Sequence, residues 1–105
     1  MTTPAPDGPA VLELGDEVLV TATGCIDLGA GEAFRRCLVD VVRLGKPVLL
    51  DLTGVTFMDG RAYRAVRATS PPDGSGPPVT VITGSGLIAA VLQSSPGSRV
   101  QVRMS

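Results

Sequence analysis

The sequence predicts a single α/β domain in which helices pack on a mixed β-sheet. Segments rich in apolar and β-branched residues alternate with segments of helical periodicity, in the order β-β-α-β-α-β-α-β. The 105 residues suffice for one domain, and 44% of them are hydrophobic, which provides for a buried core. We expect residues 1–9, which are polar and rich in proline, to form a disordered lead-in, and residues 10–105 to form the domain.

The first three elements are a hairpin and a helix. Residues 11–14 and 18–23 are β-rich runs on either side of a short turn that contains Gly15. From Ala30 onward, apolar residues recur at intervals of three and four, which predicts an amphipathic helix. Gly45 ends this helix, because glycine commonly follows the last helical turn.

The middle of the chain predicts a central strand followed by a short helix. Residues 48–52 are almost continuously apolar, as in a strand that is buried on both faces of a sheet. Residues 53–58 are expected to form a loop, and Asp59 precedes Gly60 where the second helix begins. This helix must be short, because residues 69–78 are rich in proline and glycine.

The last third of the chain predicts two strands around a third helix. Residues 79–83 form a strand, and residues 86–93 form a helix whose first turn Ser85 caps. Residues 99–104 form the final strand.

Composition excludes several classes of function. Nine basic and ten acidic residues give a net charge of −1, and few residues are aromatic, so we expect no nucleic-acid binding. The chain has no His, which argues against an enzyme and against a metal or other cofactor. No apolar run approaches the roughly 20 residues of a membrane helix, so we expect a cytoplasmic protein without membrane insertion. Cys25 and Cys37 are expected to be buried, unbridged thiols.

Three motifs resemble those of the STAS domain. They are GCID at residues 24–27, VLLDLTGV at residues 48–55 and FMD at residues 57–59. The family includes bacterial anti-sigma factor antagonists and the cytoplasmic domains of sulphate transporters. The resemblance runs from about Val11 to Val102, and the order of the elements agrees throughout.

The resemblance implies partner switching controlled by a serine. In the family, an antagonist with an unmodified serine binds an anti-sigma factor, often itself a kinase, and phosphorylation of that serine breaks the complex. The serine follows an aspartate in an Asp-Ser-Ser/Thr-Gly turn at the start of the second helix. In this sequence Asp59 matches, but Gly60 occupies the acceptor position and Arg61 and Ala62 follow. We therefore expect a module that binds an anti-sigma factor or related serine kinase, with the phosphorylation switch lost.

The expected partner-binding residues lie in the loop and second helix, with one acid ahead of the first helix. They are Asp27, Phe57, Met58, Asp59, Gly60, Arg61, Arg64 and Arg67. The three arginines are spaced by three and form either a basic band for an acidic partner or a solvated face with Arg61 paired to Asp27 or Asp59. Asp27 either caps the first helix or belongs to the partner-facing end of the sheet.

Two other interpretations stay open. The small residues Gly60 and Ala62 beside Arg61 would leave a gap for a nucleotide or another anion, which would make the domain a small-ligand sensor. Alternatively, the chain is a subunit of a larger STAS-containing signalling complex, and a homodimer also fits the sequence.

Overall fold

A computed structural model describes residues 9–69, 76–94 and 100–105 of the chain. Five strands and three helices follow one another in the order that the sequence predicts. The strands are β1 (Ala10–Leu14), β2 (Glu17–Ile26), β3 (Val48–Met58), β4 (Val79–Thr83) and β5 (Gln101–Met104), and the helices are α1 (Leu28–Val42), α2 (Gly60–Ala68) and α3 (Gly86–Gln93). The proposed lead-in lies outside the described residues except for Pro9.

The five strands form one sheet in which the spatial order is the same as the order along the chain. β1 pairs with β2 in an antiparallel hairpin, and Gly15 in its turn has φ of 63°, a conformation that glycine adopts without steric cost. β2, β3, β4 and β5 are successive parallel neighbours, and a helix connects each pair. Because such crossovers are right-handed and progress in one direction, all three helices lie on the same face of the sheet.

Burial along β3 alternates, because only one face of the sheet carries helices. Val48, Leu50 and Leu52 are buried, whereas Leu49 and Asp51 between them are partly exposed. β3 is the central strand of the sheet, as expected, but the expectation that it is buried on both faces is wrong. Apolar residues on the inner face of the sheet pack against the buried faces of the helices, which contribute Phe34, Leu38, Val66, Ile88 and Leu92 to the core.

β3 is longer than the sequence predicts and replaces the expected loop at residues 53–58. This second half of the strand pairs in parallel with residues 23–26 of β2. The register shifts twice, between Thr21 and Thr23 and between Gly24 and Cys25, and the φ of 79° at Gly24 accompanies the second shift. The extension carries the ends of both strands to the same edge of the sheet.

Helix boundaries and cysteines show further small differences from expectation. α1 begins at Leu28, two residues before the predicted start at Ala30. Cys25 is exposed, contrary to expectation, because it lies on the face of the sheet opposite to its buried neighbour Ile26, and Cys37 is partly buried. Both are free thiols, as expected. Among the described helices, none combines the length and the apolar character needed to cross a bilayer.

Gly54 provides a test of the extended pairing between β2 and β3. It lies opposite Thr23, and a Cβ atom at Gly54 would be 2.8 Å from Thr23 Cγ2. We expect Gly54→Ala to lower the free energy of unfolding by about 1–3 kcal/mol in urea denaturation, because the two strands would have to separate locally.

A second substitution makes this test specific. Thr23→Ala removes the crowded methyl group, so the Gly54→Ala/Thr23→Ala pair should recover part of the loss rather than show additive effects. Gly84→Ala is the control, because a Cβ there meets nothing within 4 Å. Strict additivity of the two substitutions would contradict the close approach.

Candidate partner-binding site

Two helix N-termini and two carboxylates meet at one edge of the sheet. Ile26, the last residue of β2, is the register partner of Met58, the last residue of β3. The next residue in each case is an aspartate at the N-cap of the following helix, Asp27 before α1 and Asp59 before α2. The Asp59 N–H donates to the Ile26 carbonyl at 3.1 Å, which fixes the two helix starts next to each other.

Asp59 caps α2 through its side chain. Its Oδ1 accepts a hydrogen bond from the Ala62 N–H at 3.0 Å, and its carbonyl accepts one from the Tyr63 N–H at 3.2 Å. Such a cap satisfies an amide that the helix itself leaves without an acceptor and contributes about 1 kcal/mol. The predicted start of the second helix beside the end of the central strand is confirmed.

Asp27 does not cap α1 in this way. It occupies the N-cap position, but its side chain makes no capping hydrogen bond, so the prediction of a cap through its carboxylate is wrong. Its Oδ2 instead accepts a hydrogen bond from the Cys25 thiol at 3.6 Å. The Asp27 side chain is exposed, and it contributes negative charge to this edge of the sheet.

The environment of Cys25 suppresses its reactivity. Desolvation, the negative charge of Asp27, the hydrogen bond to that carboxylate and the charge of Asp59 all raise the pKa of the Cys25 thiol above its usual value. Because the thiolate is the nucleophilic form, the exposed thiol stays protonated and weakly reactive near neutral pH.

Gly60 is the first residue of α2 and is exposed. A Cβ atom built on it meets nothing within 4 Å, and its φ lies outside the left-handed region. The backbone at Gly60, the position where the motif resemblance predicts an acceptor serine, is therefore one that a serine can adopt, and the space for a side chain is open. What this turn lacks is a hydroxyl group, since Asp59, Gly60, Arg61 and Ala62 carry none.

The two apolar residues before Asp59 differ in exposure. Phe57 is 52% exposed and lies beside Cys25 in the register of the two strands. Met58 is only 4% exposed and belongs to the core. Of these two residues, which the sequence predicts to bind a partner, only Phe57 exposes its side chain to solvent.

The arginines of α2 fall into two groups. Arg61 and Arg64 are exposed and make no ion pair within the described part of the chain, so the expected pairing of Arg61 with Asp27 or Asp59 is wrong. Arg67 is less exposed, and its Nε donates to the Tyr63 carbonyl at 3.3 Å. Of the three arginines in the predicted band, two are thus exposed and the third is partly buried.

The start of α2 has no metal-binding cluster within the regions the structure describes. Ala62 is fully buried and does not itself line an opening, whereas the space beside Gly60 is open to solvent. No group of three or more His, Cys, Asp or Glu residues lies together within residues 9–69, 76–94 and 100–105. What the edge of the sheet offers is an exposed surface of mixed chemistry.

Gly31 is a contributor to the site that the sequence did not reveal. It is buried, and a Cβ atom on it would lie 3.9 Å from Asp59 Oδ1. The first turn of α1 therefore lies close to the cap of α2, and a Cβ atom at Gly31 would make an ordinary van der Waals contact there. A glycine inside a helical segment was the available signal, because glycine costs helix stability and often marks close packing.

Comparison with known proteins identifies the class of domain. A model of the STAS domain matches residues 9–70, which is more than half of the chain, and the chain therefore belongs to the STAS domain family. The resemblance inferred from the motifs is confirmed.

Solved structures agree with this assignment. An anti-sigma factor antagonist from Mycobacterium paratuberculosis is similar, with a TM-score of 0.69, 18% identity, and coverage of 94% of this chain and 90% of its own. The anti-sigma factor antagonist SpoIIAA in its unphosphorylated form gives a TM-score of 0.70, 16% identity and coverage of 93% and 89%. These likenesses confirm the predicted fold. No curated protein sequence matches the chain.

The different roles of the two aspartates predict different costs of substitution. We expect Asp59→Ala to lower the free energy of unfolding by about 0.5–2 kcal/mol in urea denaturation, because the Ala62 amide loses its acceptor. Asp59→Ser should retain most of the stability. Asp27→Ala is the matched control and should change stability by less than about 0.5 kcal/mol, since no capping bond is lost. Equal losses for the two alanine variants would contradict these assignments.

Asp27 should also control the thiol chemistry of Cys25. Asp27→Ala removes both a negative charge and a hydrogen-bond acceptor, so the pKa of Cys25 should fall toward its ordinary value. The thiolate fraction at a fixed pH then rises, and iodoacetamide should alkylate Cys25 faster at pH 8. The rate is measured by mass spectrometry, with Cys37 as the internal reference. An unchanged rate ratio would contradict the contact between Cys25 and Asp27.

Proposed function

We propose that the chain is a non-enzymatic interaction module of the anti-sigma factor antagonist kind. In this proposal it binds an anti-sigma factor or a related serine kinase in the cytoplasm and thereby regulates transcription. Binding takes place at the start of α2 and is not switched by phosphorylation there. The observation that carries the proposal is Gly60, the exposed first residue of α2 in a family whose acceptor serine stands at this position.

The docking surface combines an apolar anchor with charge. Phe57 exposes about half of its ring surface, and aromatic side chains are prominent among the residues that dominate binding energy in interfaces. Asp27 and Gly60 lie at the same edge of the sheet, and Arg61 adds a cation in the first turn of α2. Met58 supports this surface from the core.

Constant charge at this edge distinguishes the proposed mechanism from partner switching. A phosphate adds about −1.5 to −2 charges, which near the carboxylates of Asp27 and Asp59 would strongly change how a partner docks. Without a hydroxyl at residues 59–62, that change does not arise at this turn. Occupancy of the complex then depends on the concentrations of the two proteins and on their affinity.

The chemistry of the site favours binding over catalysis. The Cys25 thiol donates a hydrogen bond to Asp27, and its raised pKa keeps it in the unreactive thiol form. The proposal ranks above the alternative of a small-ligand sensor because the space beside Gly60 is open to solvent rather than enclosed by described side chains.

The proposal is tested with the anti-sigma factor kinases of the source genome, each purified and titrated calorimetrically. We expect one of them to bind the wild-type chain with a Kd that incubation with Mg-ATP leaves unchanged. Phe57→Ala should weaken this binding at least about tenfold, equivalent to about 1.4 kcal/mol, because the apolar anchor is lost. Intact-mass measurement should detect no phosphoryl group on the wild-type chain.

A variant with serine hydroxyls at the start of α2 tests whether phosphorylation there weakens binding. Gly60→Ser/Arg61→Ser should become phosphorylated by the same kinase and then bind it at least about tenfold more weakly. Gly84→Ser is the matched control, because it adds a serine before another helix where a side chain also meets nothing within 4 Å. Phosphorylation of the wild-type chain that dissolves the complex, or binding by none of the kinases, would overturn the proposal.

A further inference from the structure

A groove of about 660 Å³ lies between α1 and α2, on the side of the domain away from the sheet. Leu38 forms part of its lining and is almost fully buried. Val39 and Val42 of α1 also line it and are 40% and 37% exposed. On α2, the lining includes Ala65 and Ala68, whose short side chains do not fill the space between the helices. The groove therefore offers an apolar surface that no described side chain covers.

The rim of the groove is basic. The lining includes four arginines: Arg35 of α1, Arg43 at the C-cap of α1, and Arg61 and Arg64 of α2. Glu32 is the one acid in the lining, so the net charge of the lining is +3. The whole chain has a net charge of −1, so positive charge is concentrated here.

Most of this positive charge is not neutralised by the residues that the structure describes. Glu32 forms ion pairs with Arg35 at 2.9 Å and with Arg36, which lies outside the groove lining, at 3.2 Å. Arg43, Arg61 and Arg64 make no ion pair with any described residue. Three arginine side chains beside an apolar groove are thus available to an acidic ligand.

The dimensions of the groove match a helix. Its lining runs from Arg61 in the first turn of α2 to Thr69 at the C-cap of this helix. At a rise of 1.5 Å per residue, the nine-residue helix is roughly 13 Å long. This length corresponds to two to three helical turns. Amphipathic helices bind grooves of this kind through apolar residues spaced by three and four, while their charged flanks meet the rim.

We propose that the groove between α1 and α2 binds an acidic amphipathic helix of a partner protein. Its apolar residues pack on Val39, Val42 and Ala68, and its carboxylates pair with Arg43 and Arg64 on opposite walls. A second copy of this chain that presented the same groove would bring like charges together, which opposes a symmetric dimer at this surface. The proposal is independent of the docking site at the start of α2, because it requires neither Phe57 nor Gly60.

The test begins with an unbiased selection. A phage-displayed library of random peptides of about 16 residues, roughly 24 Å long as helices, is selected on the immobilised full chain. We expect the enriched peptides to carry apolar residues spaced by three and four and to have a net negative charge. Enrichment of basic peptides, or of none, would overturn the proposal.

The most enriched peptide is then synthesised with a fluorophore and titrated by anisotropy. Arg43→Glu/Arg64→Glu should weaken its binding at least about tenfold, and Val42→Asp should do the same. Arg103→Glu is the matched control, because this exposed arginine lies on β5 outside the groove, and it should leave the Kd unchanged. Circular dichroism verifies that each variant is folded.

Two further results would contradict the proposal. One is an equal loss of affinity in the Arg103→Glu control, which would indicate a non-specific effect of charge. The other is self-association of the wild-type chain, measured by light scattering, that Arg43→Glu/Arg64→Glu abolishes. That result would assign the groove to a second copy of the chain.

Discussion

Parallel pairing of β2 with β3 out to their last residues is the constraint on which the site depends. Because Ile26 and Met58 lie in register, the chain leaves both strands at the same point and enters two helices side by side. The hydrogen bond from the Asp59 amide to the Ile26 carbonyl joins these exits directly. Gly31 in the first turn of α1 lies close to Asp59. Gly60 and Phe57 are consequently positioned by the sheet rather than by a free loop.

Charge is distributed unevenly around this framework. Carboxylates stand at the edge where the helices begin, and arginines line the space between α1 and α2. A side chain in the first turn of α2, such as Arg61, therefore borders both environments. The domain thus carries one acidic surface and one basic surface. Such surfaces favour binding to partners of opposite charge, because electrostatic complementarity governs both the choice of partner and the rate of association.

Local signals predicted much of the fold correctly. β4 and α3 have the predicted bounds, and Ser85 caps α3 by accepting from the Ile88 amide at 3.2 Å. Asp59 likewise caps α2, since a capping bond involves only residues close in sequence. These features need no knowledge of distant parts of the chain.

Features that depend on distant residues were not predictable. Gly54 interrupts the apolar run of the central strand, and residues 53–58 nevertheless continue it because β2 supplies a partner about 30 positions earlier, as the pairing of Cys25 with Phe57 illustrates. The groove beside Ala65 depends on how α1 and α2 sit against one another. Sequence periodicity places apolar residues on a helix face but does not determine how completely a neighbour covers it.

The open space around Gly60 has an evolutionary consequence. No atom lies within 4 Å of a Cβ built on Gly60, and the φ of this residue lies outside the left-handed region. A single replacement of Gly60 by serine would therefore place a hydroxyl at the start of α2 without a compensating change in the surrounding residues. Glycine and serine can thus exchange at this position while the scaffold stays the same.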